Sequence, residues 1–136
     1  MKELTIDAAV ESIEAVTDFI TAELEPAGCS VKALTQISIA IDELFGNIAK
    51  YAYDNKAGKV TVQCAVEPKP PTAVITFIDS GKPFDPLKLS EPDIHAPAQE
   101  RREGGLGVYL VKKTMDLVEY SCRDGHNILT IKKKLT

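Results

Sequence analysis

The stretch VKALTQISIAIDELFGNIAKY, at residues 31–51, decides the predicted fold. Its apolar residues recur at steps of three and four, which is the spacing of one face of an α-helix. That face consists of Leu34, Ile37, Ile41, Leu44 and Ile48. We therefore predict one long helix that buries this face against a core, and the other elements are assigned outward from it.

The segment before this helix is predicted to hold a strand and a first helix. Residues 2–6 read as a short strand, and Asp7 is then a candidate N-terminal cap for the helix. The Pro-Ala-Gly sequence of residues 26–28 marks the end of that helix. Its apolar face consists of Val10, Ile13, Val16, Ile20 and Leu24.

Strand patterns dominate the segment after the long helix. A proline-rich turn separates the first two strands, and Asp124-Gly125 is the turn of a final hairpin. The predicted elements are strands at 59–67 and 72–78, a third helix at about 107–117, and hairpin strands at 119–123 and 127–135.

The balance of helices and strands indicates the fold class. Three helices are too few to cover both faces of a five-stranded sheet, so one face is expected to stay open. We predict an α+β fold: a two-layer α/β sandwich with about three helices on one face of a mainly antiparallel, mixed sheet. The 136 residues, 44% of them hydrophobic, are enough for one domain spanning 1–136.

Composition also bounds the function. A net charge of −4 argues against a general nucleic-acid binder. The short run Lys132 to Lys134 is expected on a solvated strand edge. No apolar run approaches the roughly 20 residues of a membrane helix, and the N-terminus has no signal-peptide core. Membrane attachment is therefore not expected, and the predicted location is cytoplasmic.

The three cysteines indicate neither a metal site nor a disulfide framework. They are odd in number and scattered, and no two of them form a CxxC pair. Cys29, Cys64 and Cys122 are therefore expected to be free, buried thiols.

A carboxylate and an amide stand side by side on the long helix. Glu43 and Asn47 are four residues apart, and the small residues Ala40 and Gly46 leave room beside them. Oxygen ligands of this kind suit Mg²⁺, which takes one or two protein oxygens and completes its shell with phosphates and waters. Taken alone, such a pair is more often an ordinary part of a solvated helix face.

Two glycine-containing turns follow in the chain. In FIDSGKPFD, residues 77–85, a strand ends in Asp79, which could accept a hydrogen bond from an exocyclic amine, and Gly81 would let a flat ring approach. In GGLG, residues 104–107, glycines precede a helix whose first N–H groups suit phosphate. Alone, the first could be an ordinary turn and the second a hinge. The second is neither a Walker loop nor a dinucleotide-binding turn, because the spacing differs.

The segment between these turns is predicted to be a lid. It holds several prolines and many charges with little periodicity, and a loop of this length in a compact domain is often functional. The lid is assigned to about residues 82–103. Its Arg101 and Arg102 could contact phosphate, although solvated charge is the more ordinary explanation.

The three motifs, in this order, resemble the nucleotide site of the GHKL ATPase superfamily, which includes gyrase, chaperone and histidine-kinase ATP domains. ELFGN matches its N box, DSGKPFD its G1 box and GGLG its G2 box. The resemblance is greatest to the stand-alone bacterial anti-sigma-factor serine/threonine kinases, through the Pro-Phe-Asp extension and a GGLG helix followed by a hairpin. It covers nearly the whole chain and is carried by residues 43–53, 79–86 and 104–116.

The resemblance implies a Bergerat-type ATP-binding fold and a role for individual residues. Glu43 would act as general base, and Asn47 would be the metal ligand, holding Mg²⁺ against the phosphates of ATP. Asp79 would accept a hydrogen bond from the adenine amine, with Gly81 giving the base room. The implied cofactor-binding residues are Asn47, Asp79, Gly81, Phe84, Gly104, Gly105, Leu106 and Gly107.

The resemblance also implies a function, with alternatives that stay open. The implied protein is an anti-sigma regulatory factor that phosphorylates an anti-anti-sigma (STAS-type) partner and binds a sigma factor. By analogy alone, it would form a homodimer. Alternatively, the chain is a nucleotide-sensing module without kinase activity, or a trans-acting domain of a histidine-kinase system. One departure is Tyr51, where such kinases often carry a histidine; we interpret it as a change of local packing or of a lid contact, and not as a loss of nucleotide binding.

Overall fold

The computed structural model describes residues 1–54, 56–88 and 105–136. Within them the chain forms three α-helices and five β-strands. The helices are α1 (Ile13–Leu24), α2 (Val31–Tyr51) and α3 (Gly105–Thr114). The strands are β1 (Lys2–Asp7), β2 (Lys59–Glu67), β3 (Thr72–Asp79), β4 (Leu117–Arg123) and β5 (His126–Lys134).

The strands form one five-stranded sheet in the order β1-β2-β3-β5-β4. Each of its four pairings is antiparallel. The predicted α+β fold is confirmed. The prediction was a mainly antiparallel, mixed sheet, and the described strands form antiparallel pairs only. The reason is that β3 follows β2 as its hairpin neighbour, β4 and β5 form a second hairpin, and the two helices after β1 return the chain in the opposite direction.

The core lies between the helices and one face of the sheet. Alternate residues of β2 and β3 are buried, and the residues between them are only partly buried. The buried strand residues share one cluster with the inward faces of α1 and α2. The largest fully buried side chains include Phe45 of α2 and Phe77 of β3. This one-sided arrangement is a two-layer sandwich.

The long helix α2 has the predicted bounds. The Ser30 hydroxyl caps its first turn by accepting a hydrogen bond from the Ala33 amide at 3.1 Å. The hairpin turn between β4 and β5 also follows the prediction, because Asp124 and Gly125 both have positive φ, at 52° and 79°. Two positive φ values in succession give a type I′ turn, which matches the twist of the flanking strands.

The predicted start of the first helix was wrong. Asp7 does not cap a helix; it ends β1 and forms an ion pair with Lys59 of β2. A short 3-10 turn, Val10–Ser12, precedes α1, and Val10 is 52% exposed instead of buried. The strand pairing extends through Asp7, so the chain needs the extra turn before α1 can begin.

The prediction of three buried thiols holds for one cysteine. Cys64 is buried in β2, and burial, with a smaller contribution from the charge of Glu23, raises its pKa to about 11. Cys29 is half-buried, and Cys122 is exposed on the edge strand β4. A strand at the edge of a sheet has less cover than a central one, which accounts for the difference.

Removing the Phe45 side chain tests the core. Phe45→Ala is expected to lower the free energy of unfolding by about 3–5 kcal/mol, because it leaves a cavity between α2 and the sheet. The matched control is Val31→Ala on the same helix, at a site that is 84% exposed. Chemical denaturation should show a change within about 0.5 kcal/mol for the control. Equal losses in the two variants would contradict this assignment of the core.

Candidate functional site

A cleft opens where α2 ends above the sheet. Side chains from α2, β3, the loop after β3, β4 and β5 surround a narrow cavity of about 20 Å³. Most of the wall is apolar, and three polar side chains that face it, Asn47, Asp79 and Asn127, are at most 5% exposed. The lining residues are Leu44, Asn47, Ile48, Ala52, Asp79, Phe84, Pro86, Tyr120, Asn127 and Leu129.

Helix α2 brings Asn47 into the wall of this cleft, and Glu43 stands one turn earlier, against Gly107. The two residues are one helical turn apart, so their side chains leave the helix in similar directions. Among the described residues, the buried Nδ2 of Asn47 has no hydrogen-bond partner. An unpaired buried amide is costly in a folded chain and commonly marks a functional position. Gly46, between them, is buried, and no atom of the described residues lies within 4 Å of a Cβ placed on it.

Asp79 reaches the cleft from the end of β3. Its Oδ1 accepts hydrogen bonds from the Gly81 amide at 2.9 Å and from Asn127 Nδ2 at 2.9 Å. The first of these bonds closes the turn predicted for DSG. No described residue donates a hydrogen bond to Oδ2, although Asp79 lines the cavity. The carboxylate therefore keeps one acceptor oxygen for a ligand.

Two residues of this site, Asn127 and Tyr120, were not predicted from the sequence. The Tyr120 hydroxyl donates to Asn127 Oδ1, and Asn127 Nδ2 donates to the Lys82 carbonyl at 2.9 Å as well as to Asp79. The signal was present in the alternation of β5, where Asn127 occupies an inward position that Leu129 and Ile131 continue. A polar residue on the buried face of a strand indicates a partner inside the protein.

The folded chain itself leaves no room for a side chain at Gly81, whether or not a ligand is bound. A Cβ built on it would overlap with the backbone carbonyl of Ala52, the residue that follows α2. The next amide, Lys82 N, donates to that same carbonyl at 2.8 Å. The loop after β3 is thus fastened to the end of α2, and any side chain at position 81 would separate the two.

Phe84 and Tyr51 lie together at the side of the cleft. Their ring centroids are 5.5 Å apart at an interplanar angle of 41°, and Phe84 lines the cavity. This contact agrees with the interpretation of Tyr51 as a change of local packing. Aromatic pairs of this geometry add a modest stabilisation beyond the area they bury.

The GGLG segment falls at the start of α3. Gly105 is its first residue, Leu106 and Gly107 follow, and a Cβ built on Gly107 would overlap with the Glu43 carboxylate. The N-terminus of α3 is therefore packed against the candidate base. Gly104, Arg101 and Arg102 lie outside the described residues, as does most of the predicted lid.

These residues fit a nucleotide and a magnesium ion. The unpaired amide of Asn47 and the free oxygen of Asp79 face the same cavity. No group of three or more His, Cys, Asp or Glu side chains that could hold a metal occurs among the described residues. Mg²⁺ would be held by a single amide oxygen, Asn47 Oδ1, because phosphates and water supply the remaining positions, and the unpaired Nδ2 stays a hydrogen-bond donor. No described helix is long and apolar enough to cross a membrane.

Comparisons with known proteins agree with this geometry. The model of the histidine kinase-like ATPase domain family matches residues 6–133. The chain is 26% identical to the serine-protein kinase RsbW of Bacillus cereus (strain ATCC 10987 / NRS 248), over 96% of this chain and 82% of that protein. It is 25% identical to the protein of the same name from Bacillus mycoides (strain KBAB4), with the same coverage.

Solved structures share the fold. One is the crystal structure of the RsbU and RsbW domains of Rv1364c from Mycobacterium tuberculosis, with a TM-score of 0.65 and 16% identity over 99% of this chain and 33% of that one. Another is the histidine kinase domain of the blue-light activated histidine kinase EL346 from Erythrobacter litoralis. It has a TM-score of 0.58 and 14% identity, covering 93% of this chain and 60% of that one.

Alanine at two glycines is expected to change stability in opposite directions. Gly81→Ala should cost about 1–3 kcal/mol, because the new Cβ displaces the loop from Ala52. Gly46→Ala should add about 1 kcal/mol, since alanine favours a helix interior and the space is open. Thermal melting of both variants beside the parent chain measures this. A lower melting temperature for Gly46→Ala would show that the space is filled.

Proposed function

Because this chain belongs to the histidine kinase-like ATPase domain family, we propose that it is an ATP-dependent serine/threonine protein kinase. One observation carries the proposal. Asn47 lines the cleft, Glu43 stands one turn before it on α2, and the opposite wall holds the carboxylate of Asp79, whose Oδ1 is already hydrogen-bonded. A base, an amide ligand and a polar anchor are thereby arranged in the order that a bound Mg-ATP needs.

The adenine would bind at the Asp79 end. Asp79 Oδ2 is positioned to accept the hydrogen bond of an exocyclic amine, since Oδ1 is already occupied. Apolar walls from Leu44, Ile48 and Leu129 suit the faces of a planar ring. The cleft is narrow, so we expect the loop from Phe84 onward to move outward when the base enters.

The phosphates would lie towards Asn47 and the start of α3. The amide N–H groups at an α-helix N-terminus favour negative charge, and the first turn of α3 begins with Gly105. Asn47 would hold Mg²⁺, which offsets the negative charge of the phosphates when bound. The open space beside Gly46 leaves room for these groups. Gly104 and the two arginines of the lid remain predicted contacts.

Glu43 would take the proton from the hydroxyl that attacks. Its carboxylate is half-buried, and no described residue donates a hydrogen bond to it, so it remains available as an acceptor. The distance of one turn from Asn47 places it beside the metal site instead of within it. Proton removal by a positioned carboxylate is the role that phosphoryl transfer asks of this residue.

The acceptor is proposed from the relatives. Both curated relatives carry the name serine-protein kinase. This name supports a serine as the acceptor. That the serine belongs to an anti-anti-sigma (STAS-type) protein, and that a sigma factor is a second partner, we propose from the sequence resemblance. A single domain over 1–136, a homodimer and a cytoplasmic location stay predictions.

The proposal is tested by incubating the chain with Mg-ATP and each single STAS-domain protein of its genome. An acid-stable phosphoserine supports it, and an acid-labile phosphate would favour the histidine-kinase alternative.

Glu43→Gln is expected to remove phosphotransfer and leave nucleotide binding intact. Glutamine keeps the size of the side chain and cannot accept the proton, so the transfer rate should fall by about 10²-fold or more. The control is Asp42→Asn, which removes the neighbouring, exposed carboxylate of the same helix turn. Radiolabel transfer and calorimetry of ATP binding separate the two effects. Transfer by Glu43→Gln at the parent rate would remove Glu43 from the mechanism and favour a nucleotide-sensing module.

Asn47→Leu is expected to abolish the dependence of nucleotide affinity on magnesium. In the parent chain, ATP should bind about tenfold or more tightly with Mg²⁺ than with a chelator, and this ratio should approach one in the variant. The melting temperature should rise slightly, because an unpaired buried amide is replaced by an apolar group. Gln36→Leu is the control, since Gln36 Oε1 is the other buried unpaired atom of α2 and lies three turns away. A magnesium effect retained by Asn47→Leu would contradict the metal assignment.

A further inference from the structure

The buried side chains of Asp79, Asn127 and Tyr120 are joined in one hydrogen-bond network. Both hydrogens of Asn127 Nδ2 are used, one for Asp79 Oδ1 and one for the Lys82 carbonyl, each at 2.9 Å. The carbonyl of Gly81 lies 3.5 Å from the same nitrogen. Asn127 Oδ1 accepts the Tyr120 hydroxyl. Every polar atom of the Asn127 side chain is therefore satisfied inside the protein.

The orientation of the Asn127 amide is fixed by its neighbours. Three oxygen acceptors surround Nδ2, so the reversed amide would place Oδ1 against a carboxylate and two carbonyls. On the other side, Tyr120 acts as the donor. Burial, and then the neighbouring Cys122, raise the pKa of the Tyr120 hydroxyl, which keeps its proton available. Buried networks with every member satisfied are rigid.

This arrangement makes Asp79 an acceptor through one oxygen. Oδ1 already takes two hydrogen bonds, from Gly81 N and Asn127 Nδ2. Oδ2 takes none from the described residues. A carboxylate with two free oxygens can accept two parallel hydrogen bonds from one ligand. Asp79, held as it is, can accept ligand donors through Oδ2 alone.

Whether a carboxylate offers one free oxygen or two decides which purine base it binds better. Guanine presents two adjacent donors, the N1–H and the 2-amino group, which a carboxylate with two free oxygens binds together. Adenine presents one amine on this edge, which a single oxygen satisfies. We propose that Asn127 sets the preference of this site for adenine over guanine by occupying one oxygen of Asp79. This inference rests on the proposed function. Tyr120 is a positioning residue that holds the Asn127 amide.

The experiment compares two nucleotides. ATP and GTP, each with Mg²⁺, are titrated calorimetrically into the full chain and into Asn127→Leu, which has a similar size and no donor. In the variant, Asp79 Oδ1 keeps only the hydrogen bond from Gly81 and regains one lone pair for a ligand donor, so the ratio of the dissociation constants for GTP and ATP should fall by about tenfold. Tyr120→Phe should shift the ratio in the same direction by about threefold, since the amide loses one of its restraints.

A matched tyrosine controls for stability. The Tyr53 hydroxyl donates to the Lys59 carbonyl at 2.6 Å and accepts the Ser80 amide at 2.9 Å, in the turn that follows Asp79. Tyr53→Phe therefore removes comparable bonds next to the site without touching Asp79. It should lower the melting temperature and leave the GTP to ATP ratio unchanged. A purely structural role for Asn127 would give the same result in Asn127→Leu.

The outcomes are distinct. If the parent chain binds ATP and folded Asn127→Leu has the same GTP to ATP ratio of dissociation constants as the parent, this inference alone is overturned. If the parent chain binds neither nucleotide, the proposed function fails and the inference fails with it. Asn127→Ser is measured in parallel in case Asn127→Leu does not fold. Its hydroxyl is too short to bridge Asp79 and Lys82, so the same fall in the ratio is expected.

Discussion

The hydrogen bond between Asp79 and Asn127 is the interaction on which the site depends. Both side chains are almost fully buried, in a layer that is otherwise apolar. A buried carboxylate is tolerated only when it is hydrogen-bonded, and here the two partners of Oδ1 come from β5 and from the loop after β3. The same bond joins two neighbouring strands at the point where both reach the cleft. Fold and site therefore share one structural element.

The one-sided sheet explains why the cleft lies where it does. Helix α2 covers the sheet along its length, and its apolar residues fill the space up to Ile48. The helix ends at Tyr51, and the loop that follows β3 is hydrogen-bonded to the next residue, Ala52. The loop containing Phe84 and the polar side chains of β3 and β5 close the space at this end of the helix. The cleft therefore lies between the end of α2, the sheet and this loop.

Much of the fold could be predicted, because periodicity reports directly on burial. The bounds of α2 and of β2, and the turn at Asp124-Gly125, follow from local patterns alone. The start of α1 could not be predicted, since it depends on how far β1 stays paired with β2. That pairing joins residues more than fifty positions apart, such as Asp7 and Lys59. Likewise, Glu43, Asn47 and Asp79 belong to recognisable motifs, whereas Asn127 and Tyr120 contribute through contacts that only the folded sheet creates.

The contact between Gly107 and Glu43 has a mechanical consequence. With no side chain at position 107, the first turn of α3 rests directly on the carboxylate of a neighbouring helix. Displacement of that turn along α2 would change the water and the positive N-terminal field around the carboxylate at the same time. A steric contact of a few atoms would in this way couple the electrostatic surroundings of Glu43 to the position of α3.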